Sequence, residues 1–434
     1  VPVNVCADTV GPEPDETLLL NISANIAGTT IADAQAVGTI TQNNPAGTFI
    51  ISELRTSGPA GLGDDFVELY NNTNTPLTVA ASDATAGYGV FKMGADCNAT
   101  PVLIGTIPNG TVIPARGHYL MVGSQYSLSN YGGTGAAAGD LTLTQDIESD
   151  RDVAIFSTTD INQLSIVTRL DAVGFNGNTG GGACDLLHEG TTLPPVSGST
   201  TEHSYFRKLC DFVQSVGCTT PGNPKDTNSN IDDLMFADTQ GTFISGLTQK
   251  LGAPGPENLA SPLRRDLTVN VTLLDNTKVQ SVPPNRARDL TPNPGNNSTF
   301  GTLAVRRRVV NNTGGNVTRL RFRIVEITSF PSPGGGQADL RALTTPGGSF
   351  VVSGINDPGT CGVNPTPCSV TVQPTTLEQP PTQPNGGAHN STLAAGTIST
   401  GTPLAAGQSI NVNFLLGVQT TGNFRFLIIV EALP

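Results

Sequence analysis

Asp226, Asn228, Asn230 and Asp232 stand at alternating positions in KDTNSNIDD, four oxygen-bearing side chains that a looped backbone can bring together. Ca²⁺ takes about six to eight oxygens at roughly 2.3–2.6 Å, so this stretch is the candidate calcium site. It lacks the turn glycine and the terminal bidentate glutamate of an EF-hand loop. The competing reading is an Asx-rich turn that bonds its own backbone. The acidic turns GPEPDE (Glu13, Asp15, Glu16) and DIESDRD (Asp146 to Asp152) read as solvated charge.

Catalytic chemistry finds little to work with. The histidines are His118, His188, His203 and His389; none falls in H-x-x-x-H, and His188 is followed by a carboxylate, Glu189. A metallohydrolase needs His and Asp ligands at repeated spacing. G-x-S-x-G, the P-loop and the dinucleotide fingerprint are absent. The expectation is a protein that is not an enzyme, with no cofactor beyond calcium.

Of the seven cysteines, Cys210 and Cys218 are close in sequence, as are Cys361 and Cys368. Separations of this size close small loops, whereas zinc sites favour C-x-x-C, so both pairs read as disulfides. Cys97 then pairs with Cys184, with Cys184–Cys218 the open alternative, and Cys6 is left over. Disulfides place the chain outside the cytosol.

Charge is uneven. Before Ala260 there are 27 acidic and 9 basic residues; from Ala260 onward there are 8 and 13. Complementary ends steer association. Arg306 and Arg308 share one strand face, and Arg319, Arg321 and Arg323 take the outward face of the next strand, opposite Leu320, Phe322 and Ile324. Paired as a hairpin, these strands would crowd five guanidiniums onto one surface, an interface for an acidic partner or the next subunit. The acidic total and the lack of interleaved aromatics argue against nucleic acid.

The elements that must position these groups are strands. Gly (50) and Pro (32) are abundant, only 13% of residues are charged and Trp is absent, which suits short strands joined by turns. No apolar run approaches the roughly 18 residues that span a bilayer. Residues 1–44 hold three strand-like runs, in which Leu18, Leu20 and Ile22 alternate with Leu19, Asn21 and Ser23. Strands then recur from "TFIISELRT" to Phe175, with a helix of a turn or two near Ile231. LGAPGPENLASP, residues 251–262, reads as a linker. Alternation resumes in DLTVNVTLL and RLRFRIVEI and runs to the final NFRFLIIVEAL.

These stretches carry resemblances. EPDETLLLNISANIAGTTIADAQAVGTITQNN resembles the closing half of a Calx-beta domain. IISELRTSGPAGLGDDFVELYNNTNTPLTV, with TVIPARGHYLMVG, DAVGF and KDTNSNIDDLMF, resembles a bacterial lamin-tail domain over about residues 46–250, although the tryptophan that commonly follows the PLTV strand is missing. Residues 263–434 are similar to C-terminal sandwiches that follow lamin-tail domains in large secreted bacterial proteins. The resemblance implies an all-β chain of tandem immunoglobulin-like sandwiches with a partial N-terminal sandwich.

The expected role is a non-catalytic subunit of an extracellular or cell-surface bacterial assembly. It would self-associate into a homopolymer through strand and head-to-tail electrostatic contacts, with other surface proteins or polysaccharide as further partners. The alternative is a stalk or binding module of a large adhesin or secreted enzyme. Half a Calx-beta sandwich leaves Leu18, Leu20 and Ile22 in need of cover, either from strands preceding Val1 in a longer chain or from a neighbouring subunit by β-augmentation. The partner of Cys6 would lie in the same missing piece.

Overall fold

The computed structural model describes residues 16–21, 35–40, 47–128, 136–175, 182–196, 201–210, 222–262, 268–331 and 335–433. The fold is all-β, with several sheets and only short helical turns. The helical turn expected near Ile231 is Asn230–Asp233, which leads directly into strand Leu234–Asp238.

The first sandwich pairs a seven-stranded with a four-stranded sheet. The larger runs in the order Leu141–Thr142, His118–Val122, Phe66–Asn71, Phe49–Arg55, His203–Arg207, Leu234–Asp238, Gln249–Leu251. The smaller runs Arg169–Val173, Val153–Phe156, Gly87–Lys92, Val102–Pro108. Period-two alternation sets the faces. Ile51, Val67, Leu69 and Met121 point inward to meet Val90, Ile104, Ile155 and Val173 of the facing sheet in one core. The other face of the larger sheet carries Glu53, Glu68 and His118, all buried.

The second sandwich begins beyond residue 268. Strand Thr302–Asn311 pairs with Val269–Leu273, Arg286–Asp289 and Ser409–Thr420. Strand Arg319–Ile327 lies in the opposite sheet, between Thr392–Ala394 and Phe426–Leu433. Leu320, Phe322 and Ile324 fill the core against Val412, Phe414 and Leu416, as their alternation predicts. The hairpin expected between the two arginine-bearing strands does not form. The turn between them carries the chain from one sheet to the other, so Arg306 and Arg308 lie on a different sheet from Arg319, Arg321 and Arg323.

The proposed linker is a packed element. Leu251, Ala253 and Glu257 are each 1% exposed. Its backbone is bonded on both sides, with Gly252 N donating to Asp238 O of the first sandwich and Ala253 N to His389 O of the second. Pro and Gly correctly signal irregular backbone here, but irregular backbone can be buried when its polar groups find partners.

In the N-terminal stretch, strand Glu16–Asn21 pairs antiparallel with Gln35–Ile40. Leu18 and Leu20 lie in the first of these strands; their burial, like Ile22, Cys6 and Cys218, lies outside the described residues.

Candidate functional site

A dense cluster of chemically capable side chains lies between the sandwiches, where the outer face of the seven-stranded sheet meets the outer face of the Arg319–Ile327 sheet. Strand alternation that buries Leu320, Phe322 and Ile324 turns Arg321 and Arg323 to this side, and Glu431 lies directly across the ladder from Arg321. Glu53, Glu68 and His118 arrive from the first sandwich, Glu257 from the segment between. None is more than 6% exposed.

Glu431 accepts from Arg321 Nε at 2.6 Å and from Arg323 Nε at 2.7 Å. Glu257 pairs with Arg321, and its Oε2 lies 3.0 Å from Arg323 Nη2. Its backbone N–H donates to Glu68 Oε2 at 2.6 Å. Arg323 Nη1 donates to Asn390 Oδ1, and Glu53 accepts from Ser204 Oγ and Gly255 N. Arg321 therefore serves Glu257, Glu431 and, at 3.8 Å, Glu378, and Arg323 serves Glu257 and Glu431, which is how buried charge is tolerated. Burial, and then the neighbouring Glu68, push the Glu53 carboxyl up to about 7.

Glu68, His118 and Glu257 are close enough to suggest a metal centre. Geometry argues otherwise. His118 Nδ1 lies 3.2 Å from Glu68 Oε1 and Nε2 lies 3.1 Å from Glu257 Oε2, one carboxylate on each ring nitrogen. A single ion bound at one nitrogen would leave the carboxylate on the other unused. Those carboxylates are already held by other donors, Glu68 Oε2 by the Glu257 N–H and Glu257 by Arg321 and Arg323.

A second cluster surrounds Arg207, which is buried in the seven-stranded sheet. Arg207 Nη2 lies 2.5 Å from both oxygens of Asp171, and Nη1 lies 3.4 Å from Asp226 Oδ1 and 3.9 Å from Asp233 Oδ2. Glu189 reaches Arg169 at 3.5 Å. Asp171, Glu189 and Asp226 present convergent oxygens, and the guanidinium already supplies the cation among them. Burial pushes Asp226 up to about 6 and Glu189 well above the carboxylate range, in the latter with Asp171 and Asp226 adding to the effect.

The four candidate calcium ligands are accordingly dispersed. Asp226 turns inward to Arg207. Asn228 has a left-handed backbone, φ 55°. Asn230 is fully buried and spends its amide on backbone, accepting from Gly174 N and Glu189 N and donating to Ala172 O. Asp232 is exposed and accepts from Ser229 Oγ at 2.7 Å. Asp233, absent from the expected set, closes the turn by accepting from Thr227 N and Ser229 N. The Asx-turn reading describes this segment, because alternation disperses side chains once the backbone enters a helical turn.

The arginine surface is also revised. Arg321 and Arg323 are 1% and 6% exposed and meet acids of their own chain. Arg319 is a third exposed at its side chain and pairs with Glu378 at 3.1 Å. Arg306 lies over the Phe350 ring and Arg308 reaches Ser409 Oγ. Alternation identified the two faces of the strand, but a second buried sheet face looks like a solvated one until its partners, 64 and 108 residues away, are known.

Two disulfides stand as expected, Cys97–Cys184 and Cys361–Cys368. Cys210 is disulfide-bonded to a partner outside the described residues.

No family model matches the chain. No curated protein matches it either. Among solved structures the chain is similar to a DUF4876 family protein from Bacteroides thetaiotaomicron VPI-5482, at 14% identity and a TM-score of 0.29, over 51% of this chain and 78% of that one.

Proposed function

We propose that the chain is a non-catalytic extracellular structural protein, a bacterial surface or matrix component that self-associates into a filament through strand and electrostatic contacts. On this reading residues 1–44 are part of a Calx-beta sandwich, and the two larger sandwiches are a lamin-tail-like domain and a companion immunoglobulin-like one. The observation that carries the proposal is the ionic layer between the sandwiches. Carboxylates that would serve an active site are buried and bonded to guanidiniums or backbone, with His118 set between two of them, and their effect is to join two sandwiches into one strut. The disulfides support an oxidising compartment. Among the described residues no helix is long and apolar enough to cross a membrane.

Electron microscopy of the purified chain at moderate salt tests the proposal. Open fibres follow from head-to-tail contacts that do not close. Monodisperse monomers at high concentration would refute it.

A further inference from the structure

A third acidic site differs from the two above in having no guanidinium at its centre. Asp65 ends the loop before strand Phe66–Asn71, and Gly123 follows strand His118–Val122. Because Phe66 pairs with Val122, these residues share one end of the seven-stranded sheet. Gly123 N donates to Asp65 O, and Gln125 N to Gly63 O, which binds the two loops together. The loop bearing Asp146 closes over them, with Ile147 N donating to Asp65 Oδ2 at 2.5 Å.

Asp65 is 0% exposed, yet its Oδ1 has no hydrogen-bond partner. A buried carboxylate oxygen left unmatched costs free energy that folded proteins normally avoid. Its neighbour Asp64 shows the usual solution, pairing with Arg55 and accepting from Ser127 N and Oγ. Among the described residues no Lys or Arg nitrogen is ion-paired to Asp65. Lys92 is committed to Asp146 O and Glu148, and Arg55, whose charge reaches Asp65, is paired with Asp64 and Glu202.

The free oxygen packs against Gly123, with other oxygens nearby. A methyl group on Gly123 would collide with Asp65 Oδ1 and with the Gly63 carbonyl oxygen. One on Gly63 would lie 2.7 Å from Ser124 Oγ and 3.0 Å from Asp146 Oδ1. Glycine at both positions lets these oxygen-bearing loops approach this closely. Burial pushes the Asp65 carboxyl up to about 7, with the charge of Asp146 acting in the same direction. Exposed Leu62, Ser124 and Gln125 give the site a route to solvent.

We propose that Asp65 Oδ1, the Gly63 carbonyl oxygen, Asp146 and Ser124 Oγ form a binding site for a hard divalent cation, Ca²⁺, with water completing the shell. Two carboxylates, a carbonyl and a hydroxyl are the ligands Ca²⁺ takes, and the absence of nitrogen or sulfur disfavours zinc. The ion would pin the 61–65, 123–125 and 146–147 loops to one another.

The test is titration of Ca²⁺ alone into the full chain after EDTA treatment and dialysis, read by calorimetry and by the unfolding midpoint. Saturable one-to-one binding with a raised midpoint is expected. Asp65→Asn should abolish it, Asp146→Asn should weaken it by on the order of tenfold or more, and Asp232→Asn, in the dispersed calcium candidate, should bind as wild type. Asp146 is only half-buried, so its variant carries the test if Asp65→Asn does not fold. No binding by the wild type at millimolar Ca²⁺, or undiminished binding by Asp146→Asn, overturns the proposal.

Discussion

Glu257 Oε2 lies 3.0 Å from Arg323 Nη2, and this pair ties the segment between the sandwiches to the strand beyond it. Glu257 also meets Arg321 and His118, so one carboxylate joins three elements. Deleting one member of a buried charge network leaves the others uncompensated, at about 3–5 kcal/mol. Glu257→Ala should therefore lower stability by that amount. It should also uncouple the sandwiches, so that a single calorimetric transition becomes two. Arg308→Ala, on a half-buried side chain outside the ionic layer, should change stability by no more than about 0.5 kcal/mol. A Glu257→Ala protein that still melts in one transition near the wild-type midpoint would show that the ionic layer does not couple the two units.

Glu53 gives the same layer a pH signature. Its folded pKa, about 7, is above the ordinary 4.5, first through burial and then through Glu68. The folded state thus holds this proton more tightly than the unfolded chain. Glu53 costs nothing below pH 4.5, and its cost grows as pH rises from 4.5 to 7 and is complete above that. Glu53→Gln mimics the neutral acid. Relative to wild type it should be close to neutral near pH 4.5 and more stable by about 1–3 kcal/mol at pH 8. Chemical denaturation of both proteins at the two pH values measures the difference.

How far the sequence reveals this architecture depends on the distance over which each feature is decided. The inward run Leu320, Phe322, Ile324 and the strand starting at Phe66 are legible because alternation is local. Cys361 and Cys368 are legible because their loop is short. Arg321 and Arg323 are misread as solvent-facing because the same alternation is produced by a strand with one wet face and by one with an ionic second interface. Their acid partners, Glu257 and Glu431, come from a proline-rich segment and from the far end of the chain. A charged residue alternating with core residues on two paired strands, as Glu431 does opposite Arg321, is the signal that was available. The oxygen ring around Asp65 draws on three loops, and no single stretch announces it.

His203 should show the opposite pH sign. It is fully buried in strand His203–Arg207, with Nδ1 2.9 Å from Thr201 O and its ring 5.4 Å from that of Phe236. Burial lowers its pKa from 6.5 to about 4. The unfolded chain takes up a proton first as pH falls, so stability is lost between about pH 6.5 and 4 and is untouched above that window. His203→Phe keeps the packing and removes the proton site. It should cost about 1 kcal/mol at pH 7 through the lost Thr201 bond. At pH 4 the protonation penalty of about 3 kcal/mol is removed, which leaves the variant more stable than wild type by about 2 kcal/mol. Unfolding midpoints measured across pH 4–7 should therefore cross.

The two disulfides should differ in worth because they close loops of different length. Cys97 and Cys184 are 87 residues apart, and Cys361 and Cys368 are 7 apart. A crosslink restricts the unfolded chain more as the loop grows, which gives roughly 4–5 kcal/mol for the first and 2–3 kcal/mol for the second. Their surroundings point the same way. Cys184 sits in a small core with Phe91, Met93 and Phe156, between the four-stranded sheet and the helical turn Cys184–Leu187, whereas the Cys361–Cys368 loop caps one hairpin. Cys97→Ser with Cys184→Ser should destabilise the first sandwich by the larger amount. Cys361→Ser with Cys368→Ser should leave the first sandwich unchanged and loosen only the hairpin Phe350–Ile355 with Cys368–Pro374. Hydrogen exchange of the two variants separates a global loss from a local one, and equal global losses would contradict the loop-length account.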